Sequence, residues 1–152
     1  FQQRVDRLRK ATDAAGEVLR EDKKRLQFIE AALKSYPALD VKLIEKVKQL
    51  DNMRDDLSIS MYGDPSLSKR DLEQNESIAS KVGIVIWNMW RNRSEPTQTN
   101  KMLYDNASSE FEKVISQMTK LDAEIKGLEK YLEEKEVPFT PGRGLIMNWS
   151  KE

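Results

Sequence analysis

Two consecutive stretches of this chain carry apolar side chains at alternating three- and four-residue spacing, and the two patterns match when the chain is folded back at Pro37. The first seam reads Ala15, Leu19, Asp22, Leu26, Ile29, Leu33, and the second reads Leu43, Val47, Leu50, Arg54, Leu57, Met61. This alternation is the signature of helices packed along a narrow stripe, so it predicts an antiparallel helical hairpin. In the proposed register Leu33 meets Leu43, Ile29 meets Val47, Leu26 meets Leu50, Leu19 meets Leu57 and Ala15 meets Met61. The only charged members, Asp22 and Arg54, fall opposite each other. They read as a structural polar pair that fixes register rather than as a buried charged site.

The rest of the chain extends the same architecture. A helix over about 2–35 includes Val5 and Leu8 in its seam, with Thr12 as a polar interruption and Gly16 as a weak spot. Tyr36 and Pro37 end it, and Asp40 is placed to cap a second helix over about 40–61. The stretch from Tyr62 to Gln74 is rich in turn formers and reads as an ordered surface loop with a short helical turn near Lys69 to Leu72. Asn75 or Ser77 can cap a third helix over about 75–91, whose apolar centre, Val82 to Trp90, predicts the most buried element. A buried strand over Gly83 to Trp87 competes with that reading but has no partner strand. Pro96 and Thr97 start a fourth helix over about 97–135, with the seam Tyr104, Ala107, Phe111, Val114, Met118, Leu121, Ile125, Leu128, Leu132. After Glu136 the chain turns non-helical, and Leu145, Ile146, Met147 and Trp149 predict a tail that docks on the bundle. The expectation is an all-α antiparallel bundle of three to four helices.

At 152 residues the chain reads as one domain, and its start at Phe1, inside a helical pattern, reads as a piece of a longer polypeptide. Its 26 basic and 26 acidic side chains cancel, which argues against a nucleic-acid or anionic-membrane surface. No apolar stretch is long enough to span a bilayer. Cysteine and histidine are absent, so thiolate zinc sites, disulfides and the commonest general base are excluded, and neither metal nor cofactor is expected.

Several residue groups invite a chemical reading. Trp87 and Trp90 lie three apart on one helix face, with Trp149 and Tyr104 as possible neighbours, and together they can form a stacking platform for sugar or protein. The favoured reading is that they fill the bundle core with one polar edge near the surface. Acidic pairs such as Asp55 with Asp56, Glu110 with Glu112 and Glu133 with Glu134 sit among lysines on outward positions, unlike a glycosidase pair facing a cleft. Ser66 and Lys69 match a serine-x-x-lysine spacing without a companion motif. Thr140 to Gly144 reads as a rigid turn, since it follows a helix and not a strand. Asn75, Asn92, Asn106 and Asn148 each begin an N-x-Ser triplet, which matters only in a eukaryotic secretory setting.

From Leu50 onward a series of segments looks specific: Leu50-Asp51-Asn52-Met53-Arg54-Asp55-Asp56-Leu57, Tyr62-Gly63-Asp64-Pro65, Ser77-Ile78 before Val82-Gly83-Ile84-Val85, Glu95-Pro96-Thr97, and Phe139-Thr140-Pro141-Gly142-Arg143. This order resembles the C-terminal helical region of large bacterial sortilin-like proteins, labelled as glycosyl hydrolases with BNR repeats. The resemblance implies a parent with an N-terminal β-propeller, a small β-sandwich and this helical segment, exported to the periplasm or beyond. Any active site would then sit in the propeller, and no catalytic residue carries over. The expected role is a non-catalytic accessory or assembly domain whose partner is the rest of its parent chain or a second copy. The alternative is a carbohydrate-recognition module built on the tryptophans.

Overall fold

A computed structural model of the chain describes residues 1–36, 41–70, 75–92 and 95–144. Among these the protein is all-helical, with no strand. Five helices follow one another: α1 (Gln2–Ser35), α2 (Val41–Tyr62), α3 (Pro65–Ser68), α4 (Ile78–Arg91) and α5 (Gln98–Glu134). The helical reading of Gly83 to Trp87 therefore holds over the strand.

Cap chemistry sets most of the starts. Ser77 accepts from the Ser80 amide to open α4, and Thr97 accepts from the Asn100 amide to open α5. The short helix forms one step earlier than its predicted place near Lys69 to Leu72. Asp64 caps it by accepting from the Ser66 amide at 2.8 Å, and Pro65 supplies a first residue with preset φ. The proposed Asp40 cap lies outside the described residues.

The long helices pack as three struts of about 50 Å. Phe1 lies against Tyr104 and Arg25 against Glu129, so α1 and α5 run parallel. Lys46 pairs with Glu124, and Lys81 with Glu110, so α2 and α4 both run antiparallel to α5. The third strut is thus broken: α2, of 22 residues, covers one half of the α1–α5 pair, and α4, of 14, covers the other. Together they nearly match α5, with 37 residues.

The predicted seams become the core. Every apolar member of the α1 seam is buried, as are Val47, Leu50, Leu57 and Met61 of α2 and Ala107 through Leu132 of the α5 seam. Leu43 and Tyr104 are half-buried at the margins. Register is fixed where the Tyr62 hydroxyl donates to the Thr12 carbonyl at 3.2 Å with its ring over Gly16. Those two residues flank position 14, where the mirror pattern puts Tyr62. Gly16 is therefore the gap that admits a phenol ring. Thr12, also buried, turns its hydroxyl back to the Leu8 carbonyl at 2.8 Å.

The prediction that α4 is the most buried element fails. Packed against two struts, it buries one stripe, Ile78, Val82 and Val85, and turns the opposite face outward. Beyond α5, Val137, Thr140 and Arg143 are buried, so the described part of the tail docks as expected. Arg143 donates from Nη1 to the Val137 and Pro138 carbonyls, and Gly142, at φ +93°, presses on the aliphatic stem of Arg25. Leu145 to Trp149 lie outside the described residues.

Candidate functional site

Asp22 and Arg54 are both buried, as the seam requires, but they do not pair with each other. Arg54 reaches back along its own helix to Asp51 at 2.8 Å and to Asp55 at 3.5 Å. Asp22 accepts from Arg25 Nη1 at 3.1 Å. Three-residue spacing on one helix gives each group a nearer partner than the facing helix offers.

Arg25 then ties α1 to α5. Its Nε and Nη2 donate to the two carboxylate oxygens of Glu129 at 2.8 and 2.9 Å, and Nη1 also reaches Asp122 at 3.4 Å. Asp122 is shared with Lys126 at 2.8 Å. Burial pushes the Asp22 carboxyl above its usual range, and Arg25 opposes that push. The hydrogen bond from Lys126 holds Asp122 below its usual range. The bidentate bond to Glu129 raises Arg25 further still. The sequence held a signal for this cluster, since Asp122 and Glu129 lie seven apart beside the seam residues Leu121 and Leu128. The Arg25 guanidinium is engaged by three carboxylates from two helices while its stem lies under Gly142, so the cluster braces the helices and the tail.

The opposite end of the bundle is different. Trp87 is 55% exposed and Trp90 75%, with their rings stacked at a centroid separation of 5.4 Å and an interplanar angle of 29°. Core filling is thereby excluded for both. The Arg91 guanidinium lies over Trp87, 5.9 Å from the ring centre. Tyr104 does not extend this platform; its ring packs edge-on against Phe1 at 5.4 Å, with Arg4 over both rings. Trp149 lies outside the described residues. Beside Trp90 opens a groove of about 750 Å³ with an apolar floor of Val5, Ile86 and Met89 and a polar rim that includes Gln2, Asp6 and Asn92. Beneath it the Asn88 amide donates to the Asn100 carbonyl oxygen at 3.0 Å, tying α4 to α5.

Of the remaining candidates, Glu110 and Asn75 line one groove, where Glu110 is paired with Lys81 at 2.6 Å. Asp55, Asp56 and Glu112 are exposed on outward helix positions. Ser66 gives its hydroxyl hydrogen to Asp64 at 2.7 Å, which assigns it to the α3 cap. Among the described residues no group of three or more acidic side chains is placed to hold a metal ion, and no helix is long and apolar enough to cross a membrane.

Among the described residues, two stacked, half- to three-quarters-exposed indoles on one helix form an aromatic surface that nothing in the chain covers. Such a platform binds by burying aromatic area. Comparisons of the chain with protein-family models, with curated proteins and with solved structures found no match.

Proposed function

We propose that this chain is a non-catalytic helical assembly module that docks on a protein surface through the outer face of α4. The observation that carries the reading is the exposure of the stacked Trp87–Trp90 pair. Indoles are costly to leave in water and recur as the anchors of protein interfaces. The three-strut bundle supplies a rigid mount, so little ordering entropy is lost on docking. In the setting implied by the sequence resemblance, the module is the C-terminal accessory part of an exported sortilin-like β-propeller protein, and any glycosidase chemistry belongs to the propeller.

Hydroxyl-radical footprinting, read at Trp87 and Trp90 individually, tests this. The isolated chain at high dilution should be labelled strongly at both indoles, and the parent polypeptide should protect them. Equal labelling in the dilute chain, in the concentrated chain and in the parent polypeptide would overturn docking through this face.

A second reading, carbohydrate recognition, is favoured by the polar rim of Gln2, Asp6 and Asn92 beside the exposed ring of Trp90. Sugar sites pair an aromatic face with planar hydrogen-bonding side chains in this way. Saturable quenching of indole fluorescence by an oligosaccharide panel, lost in Trp90→Ala, would select it.

A further inference from the structure

We propose that the occupant of the α4 face is a second copy of this chain, packed antiparallel about a two-fold axis near Val85. The proposal rests on the docking reading above and names its partner. Along the outer face of α4 the residues are Ser80, Gly83, Trp87 and Trp90, and all four are exposed. The first half of this face is small and the second half is large. Turned end for end, the face complements itself, with Trp90 of one copy over Ser80 of the other and Trp87 over Gly83. Two-fold interfaces require this self-matching, because one patch must serve as both partners.

Gly83 is otherwise unexplained. It sits inside a helix, where glycine is among the poorest formers, and a Cβ built there would meet nothing within 4 Å. Gly16, by contrast, is filled by the Tyr62 ring of its own chain. Gly83 is exposed and leaves the outer face of α4 low opposite the bulk of Trp87, so a large side chain from outside can approach the helix there.

Charge and area agree with a weak pairing. The antiparallel register sets the exposed Arg91 of one copy one helical turn from the level of the exposed Glu76 of the other, at both ends of the crossing. With zero formal net charge, the copies do not repel at long range. Taking about 250 Å² for a whole tryptophan, the four indoles of a pair offer on the order of 650 Å² at the observed exposures. A stable interface buries about 1,200 Å² or more, so the indoles supply roughly half of it. The pair should form at high micromolar concentration and separate on dilution.

Light scattering across a dilution series of the full chain, repeated with Gly83→Gln and Trp87→Ser, tests the proposal. The expected result is a concentration-dependent dimer whose Kd rises on the order of tenfold or more in each variant. Gly83→Gln should keep or raise the melting temperature, since a Cβ there meets nothing in the single copy. A monomer at every concentration, or a dimer that both variants leave intact, would overturn it. Failure here is separable from failure of the docking reading: a monomeric chain whose indoles are protected in the parent polypeptide docks on something else.

Discussion

Arg25 on α1 grips Glu129 on α5 with both arms of its guanidinium, at 2.8 and 2.9 Å, across two helices that run in the same direction. Parallel neighbours cannot be joined by a short turn, so this side-chain clasp does for α1 and α5 what a tight loop does for an antiparallel pair. Replacing Arg25 with Ala strands Glu129 and Asp22, whose side chains are only 10% and 2% exposed. The expected cost is about 3 kcal/mol, read as a fall in the urea midpoint at neutral pH. Arg25→Met combined with Glu129→Met and Asp22→Asn should recover most of it, because no buried charge is then left alone.

The cluster also sets a pH dependence whose sign differs between its carboxylates. Burial raises the Asp22 pKa in the folded state, so its contribution to stability is fully present in acid and is lost as pH rises through the raised value. Asp22→Asn should therefore be more stable than the parent at neutral pH, with the gain vanishing below the ordinary carboxylate range. Asp122 behaves oppositely: Lys126 lowers its pKa, so its contribution is present at neutral pH and fades as pH falls through the lowered value. Half-exposed, it should also lose its effect in high salt. Denaturation of the two variants over a pH series, at low and high salt, reads both signs.

Two helix glycines should answer alanine in opposite ways. At Gly16 a methyl group would run into the Tyr62 ring, so Gly16→Ala should cost about 1 to 3 kcal/mol despite better helix propensity. At Gly127 nothing lies within 4 Å, and Gly127→Ala should gain about 0.5 to 1 kcal/mol. Chemical denaturation of the two variants side by side decides the matter. Tyr62→Leu should relieve part of the Gly16→Ala penalty.

Tail docking depends on Gly142, whose φ of +93° and contact with the Arg25 stem both exclude a side chain. Gly142→Ala should lift the tail at a local cost of about 1 to 3 kcal/mol. Arg143, buried in the native tail, then becomes a trypsin site. Faster cleavage after Arg143 with an unchanged helical circular dichroism signal is the expected result; an unchanged digestion rate would show that the tail holds without this turn.

The stacked indoles should be visible in solution. Rings 5.4 Å apart at 29° couple electronically, giving an exciton couplet in the far-ultraviolet circular dichroism. Either Trp87→Phe or Trp90→Phe should abolish it.

Heptad spacing made the struts legible, since a buried stripe must repeat where the partner helix recurs. Ala107 through Leu132 were read correctly for that reason, and so was the mirror register that Tyr62 and Thr12 lock. Facing position did not predict ionic partners. A guanidinium chooses the nearest carboxylate, which for Arg54 was Asp51 on its own helix. Nor did apolar content predict burial of α4, because burial depends on how many neighbours surround a helix, and two struts cover only one side of it. The exposure of Trp87 and Trp90 follows from that count and was invisible in their spacing alone.

The break in the third strut bears on how the chain assembles itself. α1 with α2, and α4 with α5, are hairpins whose contacts are close in sequence, whereas the clasp from Arg25 to Glu129 spans 104 residues. Closing so long a loop is entropically slow, and local pairs form first. Each half of the broken strut belongs to a different hairpin, and the two hairpins meet across α2–α5, α1–α5 and α1–α4, so the contacts that are distant in sequence, and slowest to close, are those between the hairpins and not within them.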